Sequence, residues 1–583
     1  MPDKKTHPLL DRLMQPSIKN LFLAIFIGIL AGYGAVFFKL VLKFMQWVFY
    51  RHTEDILFFA DKIPLWMKIV MPMAGGLVVG LVVSFFASEA KGHGVPEVIQ
   101  AIAMRGGRIR KRVAAAKIFA SAVTIGSGGS VGREGPMVQI GASIGSSIGQ
   151  VFRVPRGHMR TMVGCGAAAG IAATFNAPIA GVLFALEIII GDFGLMQFSP
   201  VVLSSVMATT ISRYYFGDFP YFSIPQYSII SHWEFCLYPL LGIFTGLVAL
   251  AFTKTLYKFE DWFEAIPIPD WIKPAIGGGL LGCTFAVFPE VFGVGYGAMN
   301  RALANEMALP LLFALIFIKI LASSLTLGSG GSGGIFAPSL FMGCMAGGAF
   351  GMAAHILLPN LTANPGAYAL VGMGGLVAGT TYAPITAILI IFEMSGTYSI
   401  ILPLMLTCIT ATVMNSTISS ASIYTTKLLK RGIDIQAGRG GHLLRNILVK
   451  ESMTRDVVSI PESAPLSRII WTFKTENAPY LHVVDGDGKL TGIISFRDIR
   501  AVLAEPGLQE LVIAYDLGTR EPVTVPTDDT LEEALARIRK SGVSQFPVLS
   551  TGPQRTLVGT LTESAINAAY DSAAVRDEIL AGK

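Results

Sequence analysis

Gly126-Ser-Gly-Gly-Ser130-Val-Gly-Arg-Glu134-Gly-Pro136 returns 202 residues later as Gly328-Ser-Gly-Gly-Ser332-Gly-Gly-Ile-Phe336-Ala-Pro338. A second pair follows at an offset of 206. Asn176-Ala-Pro178 has Glu187 nine residues after its proline, and Tyr382-Ala-Pro384 has Glu393 nine after its own. Two pairs in the same order at nearly one offset mark an internal duplication, with halves at about 20–215 and 235–425.

The surroundings of these repeats exclude a soluble protein. The 583 residues are 52% hydrophobic and 14% charged, with a mean hydropathy of +0.58, whereas a soluble domain carries about a quarter charged residues. The charge is unevenly spread. From Lys450 to Lys583 there are 19 acids and 14 bases, which leaves 20 acids and 31 bases, a net +11, for residues 1–449. Ile320–Thr426 holds one formal charge, Glu393. This predicts a polytopic membrane domain at 20–430, after a short N-terminal segment (1–19). A linker (431–449) and a soluble tail (450–583) follow. The basic excess lies between apolar segments, so no nucleic-acid partner is expected. The five cysteines have no metal-ligand spacing and are expected as buried small hydrophobes.

Leu21–Phe38, Ile69–Ser88, Phe193–Ser212 and Phe235–Thr253 are long enough to cross a bilayer. Ile118–Gly132, Met162–Ala177, Pro178–Ile190 and Ser339–Leu358 are expected as short or broken segments. Such segments are tolerated at membrane depth only where protein or a water-filled cavity receives their backbone groups. The cluster Arg105, Arg108, Arg110, Lys111, Arg112 and Lys117, and the group Lys427, Lys430 and Arg431, are read as topology signals. They put these connections, the N-terminus and the tail on the cytoplasmic side.

A Gly-Ser-Gly-Gly run before a helix lets several amide N–H groups point at one spot, where the positive end of the helix dipole adds to them. Two such helix starts in opposite orientation make a path for an anion, held without a full positive charge and so still able to leave. Glu134 lies within the first turn. Its ionised carboxylate competes with the anion for the same amides and its protonation releases it, which makes a gate. Glu187 and Glu393 recur symmetrically and are expected to bind backbone amides. A magnesium transporter regulated by the tail is a more distant alternative, since hard cations need several oxygen ligands. No nucleophile elbow, phosphate loop or zinc-protease motif suggests an enzyme.

The tail repeats too. Tyr480-Leu-His-Val-Val-Asp485 leads to Leu490-Thr-Gly492-Ile-Ile-Ser495-Phe-Arg-Asp498, and Gln545-Phe-Pro-Val548-Leu leads to Leu557-Val-Gly559-Thr-Leu-Thr562. Each copy, about 450–505 and 516–572, reads as an α/β unit.

Gly132-Arg-Glu-Gly-Pro136, Gly334-Ile-Phe-Ala-Pro338, Gly92-His-Gly-Val-Pro96 and Tyr424 in Ser422-Ile-Tyr together resemble the signature set of the CLC chloride channels and chloride/proton exchangers, and the tail resembles paired CBS domains. The resemblance implies an α-helical polytopic fold of two inverted repeats with many broken and tilted helices, followed by a tandem α/β CBS domain. It also implies a homodimer in the bilayer with one path for chloride and similar anions per subunit. Glu134 then matches the gating glutamate. Gly132, Arg133, Ile335, Phe336 and Tyr424 match anion-site positions. His93 stands where the family usually has serine, and either contacts the anion or turns aside. Ile188 occupies the place of the exchangers' inner proton-carrying glutamate and cannot carry a proton, which favours a passive chloride channel; proton-coupled exchange by a non-standard path is the alternative. The fluoride-exporting branch is not expected, because Pro136 and Tyr424 are kept. No cofactor is required. An adenine nucleotide (ATP, ADP or AMP) is a candidate ligand of the CBS pair through Asp498, whose counterpart in the second copy is Ala565.

Overall fold

The computed structural model describes residues 16–53, 56–218, 222, 230–433, 444, 447–476, 478–503, 511–520, 522–541, 545–551, 556–569 and 572. Most of the N-terminal segment and of the 431–449 linker lies outside them. The chain forms two compact units, Met1–Ile433 and Asp434–Lys583.

The first unit is helical. Its first half contains α1 (Pro16–Tyr50), α2 (Leu65–Phe85), α3 (Val95–Arg105), α4 (Arg112–Gly126), α5 (Glu134–Val151), α6 (Arg156–Phe175), α7 (Pro178–Phe184) and α8 (Leu195–Phe216). The second half repeats the series as α9 (Leu237–Ala265), α10 (Lys273–Val287), α11 (Tyr296–Leu303), α12 (Leu309–Gly328), α13 (Phe336–Leu357), α14 (Pro365–Thr381), α15 (Pro384–Ser395) and α16 (Ile401–Ile418). A last helix, α17 (Ile423–Lys430), follows. Among the described residues, six helical stretches are long and apolar enough to cross a membrane.

Two segments expected to be broken are continuous. Ser339–Leu357 lies in the 22-residue α13 and Met162–Phe175 in the 20-residue α6, with only the last one or two residues of each segment beyond the helix. Their glycines do not interrupt the helices; they let helices meet. A Cβ on Gly343 would come against Gly372 O, and one on Gly166 against Gly141 O, so α13–α14 and α5–α6 pack with backbones nearly touching. Pro178–Ile190 is irregular as expected, because α7 continues as a π-helical turn at Ala185–Ile190. Cys236 and Cys283 are exposed, contrary to expectation, while the other three cysteines are buried.

The second unit holds α18 (Val449–Ser452), α19 (Leu466–Glu476), α20 (Phe496–Leu503), α21 (Ala514–Leu517), α22 (Leu531–Ser541) and two sheets. One sheet has the order β1 (Ser459–Pro461), β2 (Tyr480–Val484), β3 (Leu490–Ser495), β4 (Thr519–Arg520); the other has β5 (Val525–Pro526), β6 (Gln545–Leu549), β7 (Leu557–Thr562). The copies exchange their leading segments. β4 pairs with β3 of the first copy, and Leu444 and Val449 pack in the core of the second with Val525 and Phe546. Sequence similarity locates the repeated helices and strands, but cannot tell which core a leading segment joins.

Candidate anion site

The two glycine-rich turns face each other. α4 and α12 each end in a turn through a left-handed glycine, Gly128 at φ +108° and Gly330 at φ +107°, a conformation that a side chain would strain. The turns are cross-bonded: Ser130 N–H donates to Thr326 Oγ1 (3.2 Å), and Ser332 N–H to Thr124 Oγ1 (3.3 Å). Gly132 and Gly334 then exchange both backbone bonds, at 2.7 and 2.6 Å, in an antiparallel bridge. Equivalent residues pairing in opposite directions is the signature of an inverted two-fold relation. It sets the starts of α5 and α13 side by side, with Gly334 so close that a Cβ on it would lie 2.7 Å from Gly135 N.

Glu134 is the first residue of α5 and fully buried. Its Oε1 accepts a 2.9 Å bond from the Tyr296 hydroxyl. Oε2 lies against Gly132, beside the first turn of α13, where a Cβ on Gly132 would also meet Ala337 N at 3.1 Å. The carboxylate therefore lies at the paired helix starts, where donors and dipoles favour negative charge. Ile335 and Phe336, at the cap and first position of α13, are buried. Arg133 stands at the residue before α5, its guanidinium 5.5 Å from the Tyr296 ring centroid. With Lys39, Asn176 and Ser212 it lines a cavity of about 210 Å³.

On the other side of Gly135 lies the Gly92-His-Gly-Val-Pro96 turn, with Gly92 at φ +76° and Gly94 at φ +84°. A Cβ on Gly135 would collide with His93 O, so this turn packs on the start of α5. His93 is buried, and its ring centroid is 5.8 Å from that of Tyr424. Its Nε2 is 3.4 Å from the Tyr257 hydroxyl, which itself donates to Ile423 O, and its Nδ1 is buried with no hydrogen-bond partner. A hydroxyl has one proton, so the bond to Ile423 makes Nε2 the donor to Tyr257 and leaves Nδ1 as the bare nitrogen. Tyr424, the second residue of α17, is buried and within electrostatic reach of Glu134.

Two of the lysines read as topology signals are buried instead. Lys117 is fully enclosed and donates to Ala90 O (3.1 Å) and Gly92 O (2.7 Å). Its two-fold mate Lys319, also enclosed, donates to Val291 O and Gly293 O, both at 3.0 Å. Carbonyl dipoles replace water around each ammonium, and each fixes the turn ahead of α3 or α11. Lys427 pairs with Glu97 (3.3 Å) and lies 3.9 Å from Glu260, with 7% of its side chain exposed. These ammonium groups are thus taken up by backbone carbonyls or by buried carboxylates.

Glu187 and Glu393 cap helices in each other's halves. Glu187 accepts from Ile385 N (3.3 Å), Thr386 N (2.8 Å) and Thr386 Oγ1 (2.6 Å) at the start of α15. Glu393 accepts from Ile179 N (3.0 Å) and Ala180 N (2.7 Å) at the start of α7. Ile188 follows Glu187 in the π-helical turn and is partly buried. Reading charge and repeats alone missed Tyr296, Tyr257 and Lys319. An available signal was the match of Gly92-His-Gly-Val with Gly293-Val-Gly-Tyr296 at an offset of 201.

In the second unit, Asp498 Oδ2 accepts from Ser495 N (2.8 Å) and Ser495 Oγ (2.7 Å), which caps α20. Ala565, at the corresponding place, has no carboxylate.

Known proteins resemble this chain in sequence and in fold. Residues 75–416 match the family model described as voltage gated chloride channel, and 447–505 and 514–572 each match the CBS domain. A putative chloride channel protein ClcB-like of Ralstonia nicotianae is 35% identical over 412 residues, which cover 70% of this chain and 96% of that protein. The H(+)/Cl(-) exchange transporter ClcA of Vibrio parahaemolyticus is 35% identical over 428 residues, covering 70% and 89%. A slow cyanobacterial Cl-/H+ antiporter superposes with a TM-score of 0.63 at 27% identity, covering 71% of this chain and 97% of that one. A eukaryotic CLC transporter shares the fold with a TM-score of 0.62 at 19% identity, covering 94% and 98%. The chain belongs to the CLC family of voltage gated chloride channels and their exchanger relatives, and carries a C-terminal pair of CBS domains.

Proposed function

We propose that this protein moves chloride across the membrane in exchange for protons, with Glu134 as the gate. The observation that carries the reading is the Glu134 carboxylate at the paired starts of α5 and α13, in the place an anion would take. An anionic side chain there competes with chloride and leaves when protonated, so anion and proton act on one group. Ile335, Phe336 and Tyr424 would serve the same anion from the other sides.

Proton coupling is favoured over the passive channel first expected, because relatives at 35% identity are named exchange transporters. Ile188 keeps the uncoupled channel as the second reading, since no proton can pass through it. In a coupled protein the inner path would have to avoid that position. Among the described residues, His93 and Tyr257, hydrogen-bonded to each other, form a titratable cluster with the nearby Glu97, Lys117 and Lys427. The homodimer, the cytoplasmic placement of the termini and an adenine nucleotide at Asp498 belong to the proposal through the family, with the basic connection 105–112 supporting the orientation.

Chloride-loaded liposomes containing the full chain test it. Uphill proton movement driven by a chloride gradient is expected, and Glu134→Gln should abolish the dependence of chloride flux on outside pH. Chloride efflux with no linked proton uptake would leave the channel reading standing in its place.

A further inference from the structure

We propose that Tyr296 is the latch of the Glu134 gate: its hydroxyl holds the ionised carboxylate in the anion's place, and the hold weakens when the carboxyl takes a proton from the outside water. The inference rests on the reading of Glu134 as the gate and adds the residue that sets how firmly it is seated.

The geometry is direct. The Tyr296 hydroxyl donates to Glu134 Oε1 at 2.9 Å, across 162 residues of chain. Hydrogen bonds to a charged acceptor are about twice as strong as neutral ones, so the bond favours the seated carboxylate over a seated carboxylic acid. On protonation the carboxylate becomes an acid, the tyrosine keeps its own proton, and one charge-assisted bond becomes a neutral one.

Placement of that hydroxyl is built into the fold. Tyr296 opens α11 directly after the left-handed Gly295, at φ +89°. The turn ahead of it is bolted twice to the turn that bears Glu134: Ser130 Oγ donates to Val291 O (2.8 Å), and Gly293 N–H donates to Gly128 O (3.2 Å). Lys319 holds Val291 O and Gly293 O from behind. The latch and the gate are therefore fixed in one frame.

The two-fold relation supplies an independent argument. At offsets of 201 and 202, the mates of Tyr296 and Glu134 are Val95 and Phe336. Both members of the contact are apolar in the symmetric position, and both are polar here. The repeat architecture evidently stands without a hydroxyl at that place, so the tyrosine is matched to the acid. Among the described residues, the groups facing the Glu134 carboxyl are Arg133 from its own turn, Tyr296 from α11 and Tyr424 from α17; α13 presents the Ala337 amide. Tyr296 is the one of these that the structure hydrogen-bonds to Oε1.

The test is chloride efflux against outside pH in liposomes of the full chain, for wild type, Tyr296→Phe, Glu134→Gln and the double variant. Phenylalanine keeps the ring beside Arg133 and Phe222 and removes the bond. The half-maximal pH should move up by about one unit, the worth of a hydrogen bond to a charged group, with efflux at alkaline pH rising several-fold. In the Glu134→Gln background Tyr296→Phe should change nothing. A wild-type profile in Tyr296→Phe overturns the latch, and so does an equal effect with and without Glu134, which would make the tyrosine merely structural. A pH response surviving in Glu134→Gln brings down the gate reading and the latch together. A flat Glu134→Gln profile beside an unaltered Tyr296→Phe removes only the latch.

Discussion

Replacing Lys427 by methionine strands a carboxylate. Lys427 Nζ lies 3.3 Å from Glu97 Oε1, and the two side chains are 7% and 12% exposed. Removing one partner of a buried ion pair costs about 3–5 kcal/mol, mostly because the other charge is left unpaired away from water. Two neighbours temper that cost. Arg431 Nη2 also reaches Glu97 Oε1 at 3.4 Å, but its side chain is 42% exposed and screened. Glu260, 3.9 Å from the ammonium, loses an attraction as well. The lower end applies, about 3 kcal/mol, or roughly two orders of magnitude in the folding equilibrium. Adding Glu97→Gln removes the stranded charge, so the double variant should recover at least half of the loss. Reversible unfolding of the full chain in micelles, followed by steric trapping, measures all four corners of the cycle. A single variant within about 0.5 kcal/mol of wild type, or two changes that simply add, would refute the argument. The pair joins α3, which starts just after His93, to α17, which bears Tyr424, so the single variant should also weaken chloride affinity.

Two further outcomes follow from the geometry. Glu187→Gln and Glu393→Gln should each cost about 2 kcal/mol in the same unfolding assay, because one charge-assisted bond and the favourable charge at a helix start are lost; a cost for only one of them would contradict their two-fold equivalence. In the CBS unit, His482 is 1% exposed with Nδ1 3.2 Å from Val458 O and Nε2 without a partner, and burial pushes its pKa below the usual 6.5. Below pH 6.5 the unfolded chain takes a proton that the folded one refuses, so stability is full above that pH and falls as the solution is acidified. Hydrogen exchange of β2, corrected for intrinsic rates, should show protection dropping between pH 7.5 and 5.5 in the wild type and staying level in His482→Gln; equal slopes would exclude the histidine as the cause.

Much of the site was legible because it is written locally. Gly-rich turns, a proline two residues into each helix and an acid at one helix start declare themselves in single runs, so Glu134, Ile335 and Phe336 stand where their motif positions imply. Groups that reach the site from another element were hidden. Tyr296 meets Glu134 across 162 residues, and Tyr257 meets His93 across 164. Charge was misleading in a specific way. Lys117 follows a run of basic residues and looks like one more topology marker, yet one helical stretch separates the solvated connection from the carbonyls of Ala90 and Gly92. Glycine count misled similarly, since a helix contacting its neighbour through glycines resembles a broken one in sequence.

The crossed caps of Glu187 and Glu393 also bear on how the protein is made. The amide that Glu187 caps at Ile385 lies 198 residues further along the chain. At about 5–20 residues per second of synthesis, roughly 10–40 s pass before α15 exists to receive the carboxylate. Until then a first half already in the membrane holds an acid that disfavours burial, by about 2.5–3.5 kcal/mol on insertion scales, and an α7 start without its Glu393 cap. The crossed caps therefore close only once the second half has been made. The nascent first half is the stage at which an insertion chaperone, or a quality-control protease, would find something to hold.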